Sequence, residues 1–252
     1  MPESASLREA IYTSLKSLGR SAGVSIHRWP APHTLEHHLQ YMLRRLAIDC
    51  VIDVGANRGH YVRLIRQIGY AGDVRSFEPL DEHIQAMSSE FAQDRLWKAF
   101  GYGLGSTRRS ATIHVHALDE LSSTLPLTEE AVRRIGSMAL AQPDRTIQIE
   151  ALRDVLPTIL PDFERRNIFL KVDTQGTDLD VLRGAGDLIR HVAGVQIEVS
   201  LVPNYSGQPT MCEALSELAR MGFHPTGFFP VPGNVTPSGA LVEMDCVARR
   251  ED

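Results

Sequence analysis

Lysine is almost missing from this chain of 252 residues: only Lys16, Lys98 and Lys171 stand among 26 basic residues, and the rest are arginine. That balance reflects either the coding sequence or a surface suited to planar anions, and the sequence alone does not separate the two. An excess of positive charge is also missing, because 31 acidic residues leave a formal net charge of -5 with ten histidines neutral. This argues against a strongly basic nucleic-acid binder and against an acidic solvating tail. Cysteine is scarce. Cys50, Cys212 and Cys246 are odd in number, share no metal-ligand spacing, and read as small buried hydrophobes in a reduced compartment. No apolar run approaches the roughly 18 residues of a membrane span. Met1-Pro2-Glu3-Ser4 lacks a charged stretch followed by an apolar one, so no signal peptide is read there. The expectation is a soluble cytoplasmic protein without membrane insertion or a nucleic-acid partner. What is present, 43% hydrophobic and 23% charged residues, suits one sizeable α/β domain or two small ones.

Residues up to about Pro32 read as a poorly patterned lead-in, closed by Trp29-Pro30-Ala31-Pro32. A helix capped by Thr34 follows, with Leu35, Leu39, Met42, Leu43 and Leu46 on one face. Residues 1–49 are thus expected as an N-terminal helical extension. From Cys50 the pattern becomes strand, turn, helix, repeated. Strands are expected at 50–54, 73–77, 97–102, 168–172, 195–199, 223–229 and 241–248, with helices around 61–68, 84–91, 179–182 and 211–221. Such alternation implies a mostly parallel sheet covered on both faces. The stretch 105–150 breaks the rhythm, with a strand-like Thr112–His116, a loop at Ser122–Pro126 and a short helix at Glu129–Ser137. It reads as an insertion over the rim of the site, within one domain spanning 50–252.

Four motifs carry chemistry. Asp53-Val54-Gly55-Ala56-Asn57-Arg58-Gly59 ends the first strand in a glycine turn leading to a helix N-terminus. Asn57 stands where a dinucleotide fingerprint has its second glycine, so a cofactor without a pyrophosphate fits better. Asp53 beside the turn suits the ammonium group of S-adenosylmethionine. Phe77-Glu78-Pro79 ends the second strand, and a carboxylate there can accept both ribose hydroxyls of a nucleoside. Lys171-Val172-Asp173-Thr174-Gln175-Gly176 and Gln196-Ile197-Glu198-Val199-Ser200 end two later strands. Asp173 and Glu198 are expected in one crevice, where two carboxylates suit a hard cation such as Mg²⁺. The competing reading pairs these acids with Arg or Lys at the sheet edge.

Taken together, Val51–Gly59, Ser76–Pro79, Ser122-Ser123, Leu170–Gly176, Ile197–Ser200 and the closing Met244–Arg249 resemble the FkbM family of S-adenosylmethionine-dependent O-methyltransferases. The likeness covers about Val51 to Arg250. It departs from the family pattern at Asp178, where glutamate is usual, and at Arg58 and His60 in the glycine turn. The resemblance implies a Rossmann-like class I methyltransferase fold, a seven-stranded sheet with an antiparallel last strand. It implies methylation of a hydroxyl on a sugar or glycan acceptor, or on a polyketide or other natural product. Asp53, Gly55, Asn57, Gly59, Glu78, Pro79, Gly103 and Ser123 are the expected cofactor residues. Asp173, Glu198 and Asp245 are the expected Mg²⁺ ligands, with Asp173, Glu198 and His116 catalytic and His60 and His224 as further proton acceptors.

Two other classes stay open at this point. A nicotinamide-dependent oxidoreductase would use the same Gly55 turn and Glu78, although Asn57 stands where its second glycine is expected. A non-catalytic nucleoside-binding module would bind the cofactor without turnover. The Pro- and Gly-rich stretch Phe228–Gly239 reads either as a hairpin loop near the acceptor or as a homodimer contact.

Overall fold

The computed structural model describes residues 3–231 and 233–251; Pro232, within the expected hairpin loop, lies outside the described residues. Strands β1 (Cys50–Val54), β2 (Asp73–Phe77) and β3 (Trp97–Phe100) alternate with helices α3 (His60–Gln67) and α4 (Asp81–Glu90). These follow α1 (Glu3–Ser21) and α2 (Leu35–Arg45). Beyond β3 come β4 (Gly103–Gly105), β5 (Arg109–Ile113), α5 (Glu129–Ile135), β6 (Arg145–Ala151) and α6 (Leu152–Ile159). The chain closes with β7 (Ile168–Val172), α7 (Asp178–Gly184), β8 (Val192–Ser200), α8 (Met211–Arg220), β9 (Phe223–Pro230) and β10 (Glu243–Arg250).

Seven strands form the main sheet in the order β3-β2-β1-β7-β8-β10-β9. The five from β3 to β8 run parallel, and β10 is antiparallel to both neighbours. The strand order reverses between β1 and β7, and a crevice opens outside the carboxyl ends at such a switch. Both faces are covered. Cys50, Ile52, Val54, Leu170 and Ile197 point to one side, against Leu156 of α6, Leu182 of α7 and Leu218 of α8. Val51, Val74, Phe169 and Val247 point to the other, against Leu39 and Leu43 of α2 and Val62 and Ile65 of α3. Helix α2 is therefore part of the sheet's core, and Thr34 caps it as expected, its Oγ1 accepting the His37 N–H at 3.3 Å. A helix spans Glu3–Ser21 where the sequence read as unpatterned, and its Ile11, Leu15 and Leu18 are exposed.

The stretch between β3 and α6 builds more than a loop. Strands β4, β6 and β5 form a second sheet, in that order, with Leu80, Ile113, Ile147 and Ile149 as a small core of its own. Its β4 packs on α7 so closely that a Cβ on Gly184 would stand 2.0 Å from the Gly105 carbonyl. The expected third strand stops at Phe100 because the chain turns there into this sheet. Among the described residues no helix is long and apolar enough to cross a membrane.

Candidate active site

A cavity of about 320 Å³ lies at the carboxyl ends of the parallel strands, under the second sheet. Its first half is built on β1 and β2. After Val54 the chain turns through Gly55 (φ 73°), Asn57 (φ 48°) and Gly59 (φ 80°) into α3. Asparagine tolerates the left-handed region, so the turn forms without the second glycine. The Asn57 N–H donates to Glu78 Oε2 at 2.8 Å, and the Leu80 N–H donates to Glu78 Oε1 at 3.0 Å. Glu78 is thus held with one backbone donor on each oxygen, which leaves each oxygen a lone pair for a ligand hydroxyl. Asn57 Oδ1 is buried without a partner and belongs to the same wall. Leu80, Leu104, Ile113, Ile147 and Ile149 add an apolar surface wide enough for a base.

The residues Asp119–Thr124 close this half from above. Asp119 accepts from Arg58 Nε at 2.9 Å and Nη2 at 2.8 Å, and its Oδ2 lies 3.3 Å from His83 Nε2. The other ring nitrogen of His83 is 3.4 Å from Glu78 Oε1. Burial alone would lower the His83 pKa, but Glu78 and Asp119 together outweigh it and hold the ring above the usual histidine range. His83 and Asp119 escaped the sequence reading. A histidine in the first turn after Glu78-Pro79 was the available signal, whereas nothing local marks Asp119.

The second half is built on β7, β8 and β10. Asp173 follows β7, Glu198 lies on β8, and Asp245 of β10 is its direct cross-strand partner. All three border the cavity. Gln175, left-handed at φ 54°, joins the first two, its Nε2 donating to Asp173 Oδ1 at 2.6 Å and to Glu198 Oε2 at 3.1 Å. A non-glycine residue in that region stores strain, here held by Tyr205, whose hydroxyl donates to Gln175 Oε1 at 2.8 Å. Ser123 Oγ donates to the Gln175 carbonyl at 2.6 Å. Gln196 Nε2 donates to Asp245 Oδ1 at 2.8 Å. Burial raises the Glu198 carboxyl well above the carboxylate range, and Asp173, Glu243 and Asp245 add to it. Burial likewise pushes Asp245 up to about 6, with Gln196 opposing and Asp173 adding. Asp178 is pushed up to about 7 by burial and by Asp173, while its Oδ1 accepts from the Thr174 N–H and hydroxyl at 2.7 Å.

Three expectations need correction. Asp53 is fully buried and does not border the cavity; Lys171 Nζ stands 3.3 Å from its Oδ1. It is buried on the sheet face under α3 behind its register partner Lys171, where a carboxylate requires an internal cation. His116 does not border the cavity either, since its Nδ1 faces the Ala139 carbonyl at 3.1 Å. His224 is exposed beside Glu251, and only His60 of the three candidate histidines reaches the cavity. The expected Mg²⁺ triad is not assembled. Among the described residues no group of three or more His, Cys, Asp or Glu is placed to hold a metal ion. The Gln175 amide bridges Asp173 and Glu198, and the Lys171 ammonium lies 3.5 Å from Asp173 Oδ2. Donors stand where a cation's ligands would have to turn inward. Gly55, Asn57, Glu78, Pro79, Gly103 and Ser123 all border the cavity, and Gly59 caps α3 behind it.

A doubly wound sheet with an antiparallel last strand, a glycine turn after β1 and a glutamate at the end of β2 define the class I methyltransferase fold. The sequence model of the methyltransferase FkbM domain matches residues 53–225, and the chain belongs to that family. No curated protein matches it significantly. Among solved structures it is similar to methyltransferase FkbM from Methylobacillus flagellatus KT, at 14% identity and a TM-score of 0.45 over 79% of this chain. The chain spans 43% of that protein's length. It is also similar to the O-methyltransferase TomG from Streptomyces achromogenes, at 12% identity and a TM-score of 0.49, covering 96% of this chain and 89% of that one. The 1,6-didemethyltoxoflavin-N1-methyltransferase of Burkholderia thailandensis is a third, at 12% identity and a TM-score of 0.45 over 99% of this chain and 90% of that one.

Proposed function

We propose that the chain transfers a methyl group from S-adenosylmethionine to a hydroxyl of a sugar or glycan. The observation that carries this reading is the polar strand-end floor. Asp173, Gln175, Gln196, Glu198 and Asp245 offer an acceptor many hydrogen-bonding groups beside the nucleoside half. A polyol presents several hydroxyls in fixed directions, and such a floor can satisfy them together.

The fit to S-adenosylmethionine rests on Glu78, on the unpartnered Asn57 Oδ1 and on the apolar wall of the second sheet. When bound, this cofactor supplies a methyl group already activated on a sulfonium. The chain's residues then have to position a hydroxyl oxygen and accept its proton. Glu198 is the better proton acceptor once ionised, because burial raises its proton affinity. Gln175 fixes the direction of the Glu198 carboxyl and keeps it apart from Asp173.

Glu78→Gln isolates the nucleoside part of this reading. The amide would put N–H groups against one of two backbone N–H donors. Affinity for S-adenosylhomocysteine should fall about 10- to 100-fold, the range for a hydrogen bond to a charged group. Isothermal titration measures it, and an unchanged Kd would remove Glu78 from the cofactor site.

Transfer itself is tested with methyl-labelled S-adenosylmethionine against free and glycosidically linked sugars, with polyketide alcohols as a second panel. Label should appear on a sugar oxygen, and EDTA should leave the rate unchanged. Complete loss in EDTA, restored by Mg²⁺, would show that the three acids do assemble around a metal. Label on polyketide alcohols alone would replace the sugar reading.

A further inference from the structure

The three acids of the acceptor half have one cation, Lys171, among them. Among the described residues the only salt bridge made by Asp173, Glu198 or Asp245 is the one from Lys171 to Asp173. Lys171 is otherwise engaged by Asp53 Oδ1 at 3.3 Å and by the Gly55 carbonyl at 3.2 Å. Glu198 and Asp245 therefore border the cavity with amide partners and, among the described residues, no salt bridge of their own. A second observation lies beside them. Gln196 is 3% exposed and borders the cavity, yet its Oε1 has no partner. The donation of its Nε2 to Asp245 fixes the amide's orientation, since a reversed amide would set two oxygens 2.8 Å apart. A buried acceptor left open is unusual and is available to a donor brought by a ligand or an ordered water.

We propose that this end of the cavity receives an ammonium group carried by the acceptor, which makes the substrate an amino sugar methylated on a neighbouring hydroxyl. An alkylammonium offers three donors and no acceptor. Asp245, Glu198 and Gln196 Oε1 offer it three acceptors, two of them on β8 and one on the paired β10. A neutral hydroxyl would leave part of this set without a donor. The cofactor's own ammonium is a poorer match, because β10 lies three strands from β1 in the sheet order, about 14 Å at ~4.8 Å per strand. The inference rests on the methyl-transfer reading.

The test compares kcat/KM for hexosides bearing an amine at C2, C3 or C4 with their N-acetyl derivatives and the parent hexosides, products being assigned by NMR. At least one aminohexoside should exceed both of its counterparts by about 10- to 100-fold. Asp245→Asn should bring that aminohexoside down to the level of its parent while S-adenosylhomocysteine binds as in the wild type, which also reports that the variant is folded. Equal or better use of the parent or N-acetyl hexosides would overturn the ammonium site and leave O-methyl transfer standing. A preference surviving in Asp245→Asn would overturn it as well. Methylation on nitrogen would overturn hydroxyl transfer while keeping recognition of the amine. No transfer to any hexoside by a protein that binds S-adenosylhomocysteine would overturn both.

Discussion

Lys171→Met should destabilise the protein by about 3–5 kcal/mol, the range for breaking a buried ion pair on one side. Lys171 and Asp53 are register partners on β7 and β1, 6% and 0% exposed. Without the ammonium, Asp53 keeps only the Ser76 hydroxyl, donating at 3.3 Å, and its carboxylate is left in an apolar layer under α3. A domain holds about 5–15 kcal/mol in total, so much of the protein's margin is at stake. The cost should depend on pH in a defined direction. Burial already raises the Asp53 pKa and Lys171 restrains it, so the substitution raises it further. The folded state then binds a proton that the unfolded state has released above its ordinary carboxylate pKa. Its stability falls as pH rises from that value through the folded-state pKa. Urea denaturation should therefore show a larger loss at pH 8 than at pH 5.5. Asp53→Asn in the Lys171→Met background should recover part of the loss and flatten the pH dependence. A loss under about 1 kcal/mol at both pH values, in the range of an exposed pair, would mean that the two groups are not buried together.

The same pair shows what the sequence could and could not disclose. Strand runs such as Cys50–Val54 and Ile168–Val172 are apolar almost throughout because the sheet is covered on both faces, and their order along the chain sufficed to place the seven strands. Glu78 was legible because a strand, a glycine turn, a helix and a second strand precede it at fixed spacing. Asp53 was misread because proximity to a turn does not say how deep a side chain lies. Period two puts it on the face of Val51 under α3, where its register partner Lys171 borders the cavity while Asp53 itself is fully buried. The same arithmetic puts Gln196 on the face of Glu198, a motif residue to which the sequence reading gave no role. Residues 145–151 held an equally plain alternation, with Ile147, Ile149 and Ala151 buried and Thr146, Gln148 and Glu150 exposed or half-buried. The roof over the cofactor half was readable there. His83–Asp119 and Gln175–Tyr205 were not, since each joins residues about 30 or more positions apart through side chains alone.

Gly55→Ala should be the most damaging single-methyl change in the glycine turn, and its cause should be the sheet rather than the cofactor. Gly55 sits at φ 73°, a region that costs a residue with a Cβ roughly 1–2 kcal/mol. The larger obstacle is steric. A Cβ there would stand 1.9 Å from the Asp173 carbonyl oxygen and 2.9 Å from its carbon. Those are backbone atoms, and they cannot rotate aside. The Asp173 N–H is bonded to the Val54 carbonyl at 3.0 Å, and the Gly55 N–H to the Phe77 carbonyl at 3.0 Å. Relief therefore requires β1 and β7 to part at their carboxyl ends, which breaks the ladder and displaces Asp173 and Glu78 together. The expected result is a loss of more than about 3 kcal/mol, beyond the usual cost of a left-handed residue. Gly59→Ala provides the contrast. Its φ is 80°, but the added Cβ would meet the Phe91 ring at 2.5 Å, a side chain that can swing away. It should fold with a loss nearer the conformational cost alone. Asn57→Gly should be milder still, because Asn57 already occupies the left-handed region at φ 48° and gives up only its side chain. Thermal unfolding of the three variants without ligand ranks them. If Gly55→Ala melted with the wild type and lost only S-adenosylhomocysteine binding, the glycine would serve ligand approach. The observed contact with Asp173 makes the opposite order the expected one: the turn closes the sheet first, and the cofactor site follows from that closure.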